Sequence, residues 1–382
     1  MNKKTSAIWS EYIIDGIRMS ATPGDILCAS CKTCKCGRNP EKYDSIVDET
    51  VDPAPYSKVF DNGKIDEYLK KTVSYKAARQ ISPEYPEFIT KSKVSEALLS
   101  AIWKDGHFCM NDIELSADWE WDPAPLGNMA AFYKSVESFC GYAGELGVGI
   151  KDYSFREGNS RKLEIRTGLN RQGSGQEYSD EEDAGSLMEE KKRLLLGTKR
   201  KCPQTLTEDS SAWVIYVPFD TCDFRMGGSL LSELTGNAGG KEPELADTEY
   251  FRDCFEVVRE LIEDGIVKSG TGVGDGGLMT ALSVLSSGRA GLSADISGLS
   301  GSYGEQNLVR ILFGETPGVI IEIEDSDYDY VDAEFLLQDV AYYPLGHPSP
   351  KAKGLSINMS DLSDISGIML SLLNGQASEG ED

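Results

Sequence analysis

Residues 268–291, Lys-Ser-Gly-Thr-Gly-Val-Gly-Asp-Gly-Gly-Leu-Met-Thr-Ala-Leu-Ser-Val-Leu-Ser-Ser-Gly-Arg-Ala-Gly, join a glycine-rich turn to an apolar helix. Gly272, Gly274, Gly276 and Gly277 permit positive φ and a close approach of the backbone to a neighbour. The pattern predicts a helix from about residue 278, whose first N–H groups point back at the turn. One acid, Asp275, stands at the mouth of that turn, where a carboxylate can hold a metal ion against phosphates. A β-to-α connection without a ligand has the same pattern, so the residues leave both readings open.

Composition narrows the class. A chain of 382 residues, 40% hydrophobic and 26% charged, is long enough for two domains with their own cores. Its 38 Lys and Arg against 63 Asp and Glu give a net charge of -25. Such a field repels nucleic acid and anionic membranes. It does not exclude a nucleotide, because bound Mg2+ and local N–H groups can reverse the sign in one pocket. No apolar run approaches the ~20 residues needed to cross a bilayer, and Met-Asn-Lys-Lys at the N-terminus lacks the apolar core of a secretory signal. The expectation is a soluble cytoplasmic protein with neither nucleic acid nor membrane as partner.

Of nine cysteines, Cys109, Cys140, Cys202, Cys222 and Cys254 are scattered and read as reduced, mostly buried thiols. Cys28, Cys31, Cys34 and Cys36 instead form C-x2-C-x2-C-x-C beside Lys32, Lys35 and Arg38, which lower thiol pKa values. This cluster is a candidate zinc site, although the spacing is not that of two separated CxxC pairs. The alternative is a flexible, reduced leader.

Along the chain, residues 1–56 are a polar, cysteine-containing N-terminal extension with short elements at most. A helical pattern begins at Lys64. Residues 92–103 predict a helix capped by Ser92, and 112–119 alternate as a strand. Residues 126–146 predict a helix closed by Gly147, followed by a short strand over 148–152. The segment 167–204, with Gly-Ser-Gly and adjoining acidic and basic runs, reads as a solvated linker or insertion. Beyond it come a strand at 213–217, a glycine loop with a short helix over 225–236, an amphipathic helix at 248–264, the Asp275 turn, a strand at 319–323 and a helix near 335–339. Residues 375–382 are an acidic tail. Strands and helices alternate in two blocks without an internal repeat, which fits two α/β domains.

Eight strings carry a resemblance. "GDGGLMTALSVLSSGRAGLSADIS" and "LFGETPGVIIEI" are similar to the C-terminal domain of the AIR-synthase-related superfamily. "SEALLSAIWKDG", "DIELSADW", "GELGVGIKDYS", "PQTLTEDSSAWVIYV", "RMGGSLLSELTG" and "KEPELADTEYF" stand in the order seen in the second half of large phosphoribosylformylglycinamidine synthases. The resemblance covers roughly residues 75–323, and more loosely the chain to 374. It implies a two-domain α/β (α+β) AIR-synthase-like fold: an N-terminal sheet domain over 57–166 that pairs across a dimer, and a C-terminal α/β domain over 205–374.

The same resemblance implies an adenine nucleotide, ATP or ADP, and Mg2+ held between the domains. The family's "GEALTN" helix falls on Ser95-Glu96-Ala97-Leu98-Leu99-Ser100, making Glu96 a metal ligand and replacing the asparagine by Ser100. "GKDS" falls on Ile150-Lys151-Asp152-Tyr153, so Lys151 and Asp152 are implied cofactor contacts. "SDGG" falls on Gly274-Asp275-Gly276-Gly277, making Asp275 a second magnesium ligand and its glycines part of the cradle. Gly227-Gly228-Ser229 resembles a further binding loop. The aspartate of an "ARDQ" strand has no counterpart where it is sought, over residues 51–69.

The resemblance therefore implies an adenine-nucleotide and magnesium subunit, or divergent paralogue, of the synthase family that is not active alone. If active, it is an ATP-dependent C–N ligase, an amidine synthase, working with a partner. The competing reading is a non-catalytic interaction protein that keeps the fold around a decayed nucleotide site. A lone second half leaves a sheet edge open, so a homodimer or a heteromer with a first-half synthase-like subunit is expected.

Overall fold

The computed structural model describes residues 7–31, 45–54, 67–68, 71, 79–104, 108–169, 202–235 and 240–358. The N-terminal residues are more structured than their polar composition suggests. Strand β1 (Glu11–Ile14) turns back into β2 (Ile17–Arg18) through Asp15 and Gly16, both at positive φ, as a two-residue hairpin requires. Helix α1 (Pro23–Ser30) opens with a reciprocal capping box between Thr22 and Asp25 and with proline in its first turn. Strand β3 (Ser45–Asp48) then pairs in parallel with β1. Tyr12, Ile14 and Leu27 are buried in the main core, so this part packs on the molecule. Its elements are too short to show a period within polar sequence.

Helix α2 (Pro86–Lys104) begins earlier than expected: Pro86 takes the first turn, and Ser92 is a buried interior residue. Strand β4 (Ile113–Trp121) alternates strictly, burying Ile113, Leu115, Ala117, Trp119 and Trp121. Helix α3 (Asn128–Glu145) covers that face, with Phe132 and Phe139 set edge-on to Trp119. Three backbone N–H groups at its start, those of Gly127, Met129 and Ala130, donate to the buried Asp48 carboxylate at 2.8 to 2.9 Å. A side chain 79 residues upstream thus caps this helix.

Strands β5 (Gly149–Glu157) and β6 (Arg161–Leu169) flank β4, in parallel and antiparallel register respectively. The expected short strand is therefore nine residues long. The far face of this sheet is polar: Asp118 pairs with Arg166, and Glu120 with Arg156. Residues 167–169 belong to β6, whereas 170–201 and the tail at 375–382 lie outside the described residues.

The second sheet runs β10-β7-β9-β8, from β7 (Trp213–Pro218), β8 (Val267–Val273), β9 (Gly318–Ile323) and β10 (Tyr343–Gly346), every neighbour antiparallel. It is largely buried on both faces and divides two cores. Ile215, Val217, Val319 and Ile321 join the first, with the amphipathic helix Thr248–Glu263. Val214, Tyr216 and Ile320 join the second, with the helix Gly277–Leu285. In chain order, Leu230–Thr235 is α4, Thr248–Glu263 α5, Gly277–Leu285 α6, Ser297–Tyr303 α7, Leu308–Phe313 α8 and Tyr328–Leu337 α9. Helix α9 starts seven residues before the expected 335, because its inward side shows only Val331 and Phe335 to the core. The mixed α/β class expected from the sequence is observed.

Candidate functional site

The glycine-rich stretch does two separate things. Gly270 and Gly272 on β8, and Gly274 just past its end, recur with the two-residue period of a strand and face helix α2. A Cβ on Gly270 would lie 2.6 Å from Trp103, one on Gly272 3.1 Å from Leu99, and one on Gly274 3.2 Å from Glu96. Residues 96, 99 and 103 share one helix face, so these glycines form a groove into which α2 settles. Half of the glycine signal thus arises from helix-on-sheet packing.

The other half is the turn from β8 into α6. Gly276 and Gly277 adopt φ of 84° and 67°, and the Gly277 N–H closes the turn on the Gly274 carbonyl at 2.8 Å. Asp275 is 2% exposed and ion-paired with Arg79, whose side chain is wholly buried. The same guanidinium pairs with Glu315 at 2.8 Å and donates to the Gly228 carbonyl at 2.5 Å. Glu315 also accepts from the N–H groups of Gly276 and Leu230, both at 2.8 Å. Burial pushes the Glu315 carboxyl up to about 7, opposed by Arg79. Burial likewise raises Glu233, which Arg79, Arg161 and Lys93 pull back down.

Gly227-Gly228-Ser229 lies on the opposite side of Arg79. Gly228 has φ of 72° and packs against Tyr85 and Phe88, and Gly227 has no room for a Cβ beside the backbone of residues 240–242. The Ser229 hydroxyl is fully buried and bonds Ser232. The close neighbours of both glycines are therefore protein atoms. One guanidinium thus joins the two glycine turns expected to cradle a cofactor.

An open cleft of about 620 Å³ lies between α2 and β6, lined among others by Lys93, Glu96, Ser100, Glu164 and Arg166. Glu96 stands where this cleft meets the Gly274 turn. The structure therefore brings Glu96 beside Gly274, while the Asp275 carboxylate is engaged by Arg79. Lys151 and Asp152 are exposed on β5, the opposite edge of the β5-β4-β6 sheet from β6, about 10 Å across two strand spacings. Among the described residues no group of three or more His, Cys, Asp or Glu is arranged to hold a metal ion.

In the cysteine cluster, Cys28 is disulfide-bonded, with its Sγ 3.4 Å from the Tyr153 hydroxyl. The Cys31 thiol donates to the Lys151 carbonyl at 3.1 Å, while Cys34 and Cys36 lie outside the described residues. Cys140, Cys202 and Cys254 are buried and Cys109 and Cys222 half-buried, as expected of the scattered set.

No family profile matches the chain. Over 273 residues it is 25% identical to the probable phosphoribosylformylglycinamidine synthase, chloroplastic/mitochondrial, of Arabidopsis thaliana, covering 69% of this chain and 17% of that protein. Over 274 residues it is 23% identical to phosphoribosylformylglycinamidine synthase of Homo sapiens, covering 69% and 18%. The chain is thus similar to the phosphoribosylformylglycinamidine synthases over about two thirds of its own length. It spans less than a fifth of the length of these relatives. Among solved structures, T. maritima PurL complexed with ATP is 10% identical, with a TM-score of 0.48 over 73% of this chain and 40% of that one. E. coli HypE, a hydrogenase maturation protein, is 15% identical, with a TM-score of 0.41 over 73% and 81%. Among the described residues no helix is long and apolar enough to cross a membrane.

Arg79 and Glu315 are central here, yet neither stands out as a site residue in the sequence. Arg79 sits in Ala77-Ala78-Arg79-Gln80, a near match to the "ARDQ" string without its aspartate, some ten residues beyond the region where that strand is sought. Glu315 lies in "LFGETPG", among the quoted strings, but in no motif with an implied ligand.

Proposed function

We propose that this synthase-like chain serves as a non-catalytic subunit, with the Asp275 turn acting as a structural junction. The position of Arg79 carries this reading. A guanidinium buried between Asp275 and Glu315, with a third bond to the Gly228 carbonyl, supplies the positive charge that the two acids require. Mg2+ needs near-octahedral oxygen ligation and retains several waters. A turn filled by a guanidinium, with its carboxylate 2% exposed, does not fit that ion. Similarity to the synthases supports a place in purine biosynthesis, where the chain would complete an assembly with a partner that carries the chemistry.

Calorimetric titration of the full chain with ADP and ATP, with and without Mg2+, tests this reading. The expected result is no magnesium-dependent heat from wild type. Magnesium-dependent binding that disappears in Asp275→Asn would overturn it. That outcome would establish the second reading, a nucleotide and Mg2+ held between the domains, which the cleft favours through Lys93 and Arg166 beside Glu96.

A further inference from the structure

Helix α9 is apolar on two sides. Val331 and Phe335 are buried against the core, while Tyr330, Ala333, Leu336 and Leu337 form an outward stripe at helical spacing. Leu336 is 78% exposed and Leu337 76%, a costly arrangement for neighbouring leucines unless something covers them. The rim of the stripe is acidic. Asp329 and Asp332 are exposed on the same helix, and Glu260 of α5 and Asp264 at its C-cap act on the Tyr330 hydroxyl, which Glu334 also reaches. The surface thus asks for an apolar segment flanked by positive charge.

The chain carries one such sequence. Residues 191–201 read Lys-Lys-Arg-Leu-Leu-Leu-Gly-Thr-Lys-Arg-Lys: three consecutive leucines between basic triplets, without an acid, in a chain of net charge -25. Its downstream end lies close to α9. The Cys202 thiol donates to the Val267 carbonyl at 3.5 Å, Val267 pairs with Ile323, and α9 begins five residues after Ile323. Leu195 precedes Cys202 by seven residues, a reach of up to about 24 Å, whereas α9 is about 15 Å long.

We infer that the outward stripe of α9 is a docking surface for the basic leucine segment at 191–201 of the same chain. The leucines cover Leu336 and Leu337, and the basic triplets meet the acidic rim. Exposed charge pairs weaken with salt, so the docking is strongest at low ionic strength.

Limited trypsin digestion of the full chain at low salt tests this, comparing wild type with Leu336→Asp/Leu337→Asp. Cleavage of a docked segment follows the population in which it is released. The expected result is cleavage after Arg193 and Lys199 about tenfold faster in the variant, with an unchanged far-ultraviolet dichroism spectrum. Leu336→Ser/Leu337→Ser repeats the test without added charge, should the aspartates disturb the helix. Zero-length carbodiimide coupling of wild type should link lysines of 191–201 to Asp329 or Asp332 within one chain. Equal cleavage rates would overturn the inference, as would links found only between isotopically distinct chains, which would assign the stripe to a second copy.

Discussion

Arg79 shows how one side chain can settle the character of a site. Its guanidinium joins segments 196 and 149 residues away in the chain, through Asp275 and Gly228. Removing one partner of a buried ion pair leaves an uncompensated charge, which typically costs about 3–5 kcal/mol. Arg79→Met is expected to lower unfolding stability by that amount in urea denaturation, and adding Asp275→Asn with Glu315→Gln to recover most of the loss. Glu315 also gives a pH signature. Its folded pKa, about 7, lies above the usual carboxylate range, so the native state favours the protonated form. The associated stability is present at low pH and is lost as pH rises through about 7. Glu315→Gln should therefore flatten the stability profile between about pH 4.5 and 7. An unaltered slope in thermal melts across that window would count against the assignment.

At the scale of elements, the glycines of β8 matter as the surface against which α2 packs. A Cβ at Gly270 would meet Trp103 at 2.6 Å and the Ile320 carbonyl at 2.8 Å, one of them rigid backbone. Gly270→Ala is thus an overpacking change, expected to cost about 1–3 kcal/mol by chemical denaturation. If the glycine served only a ligand, the variant would keep wild-type stability. The elements themselves were largely legible. The alternation over β4 and the amphipathic face of α5 are local periods that survive folding. The N-terminal hairpin and α1 were not, since each is too short to display a period. The α3 cap was hidden too, because Asp48 reaches its helix only in three dimensions.

At the scale of the molecule, the β5-β4-β6 sheet has three strands among the described residues, with β5 and β6 at its edges. Where uncovered, the edges of nine-residue strands invite pairing with another chain; β5 already bridges Cys31 at Ile150. The prediction is a species heavier than the 41.7 kDa chain, either a homodimer or, with a first-half synthase-like partner, a heteromer. Light scattering coupled to gel filtration at micromolar concentration checks this, and a monodisperse monomer would refute it. The contribution of the second sheet is internal. Buried on both faces, it separates the two cores and carries the Asp275 turn at the end of β8.

By itself the sequence determined the mixed α/β class, most helices and strands, and the similarity to the synthases, because period, turn residues and motif order are properties of neighbouring positions. It also marked Glu96 and Gly274, which the fold sets side by side. Only the tertiary structure decided what the glycine turns face. A motif specifies backbone freedom, but the occupant of the freed space comes from distant chain, here Arg79 and Glu315. The placement of Lys151 and Asp152 on the far edge of their sheet follows from the same cause. Strand order is fixed by long-range pairing, which no local pattern records.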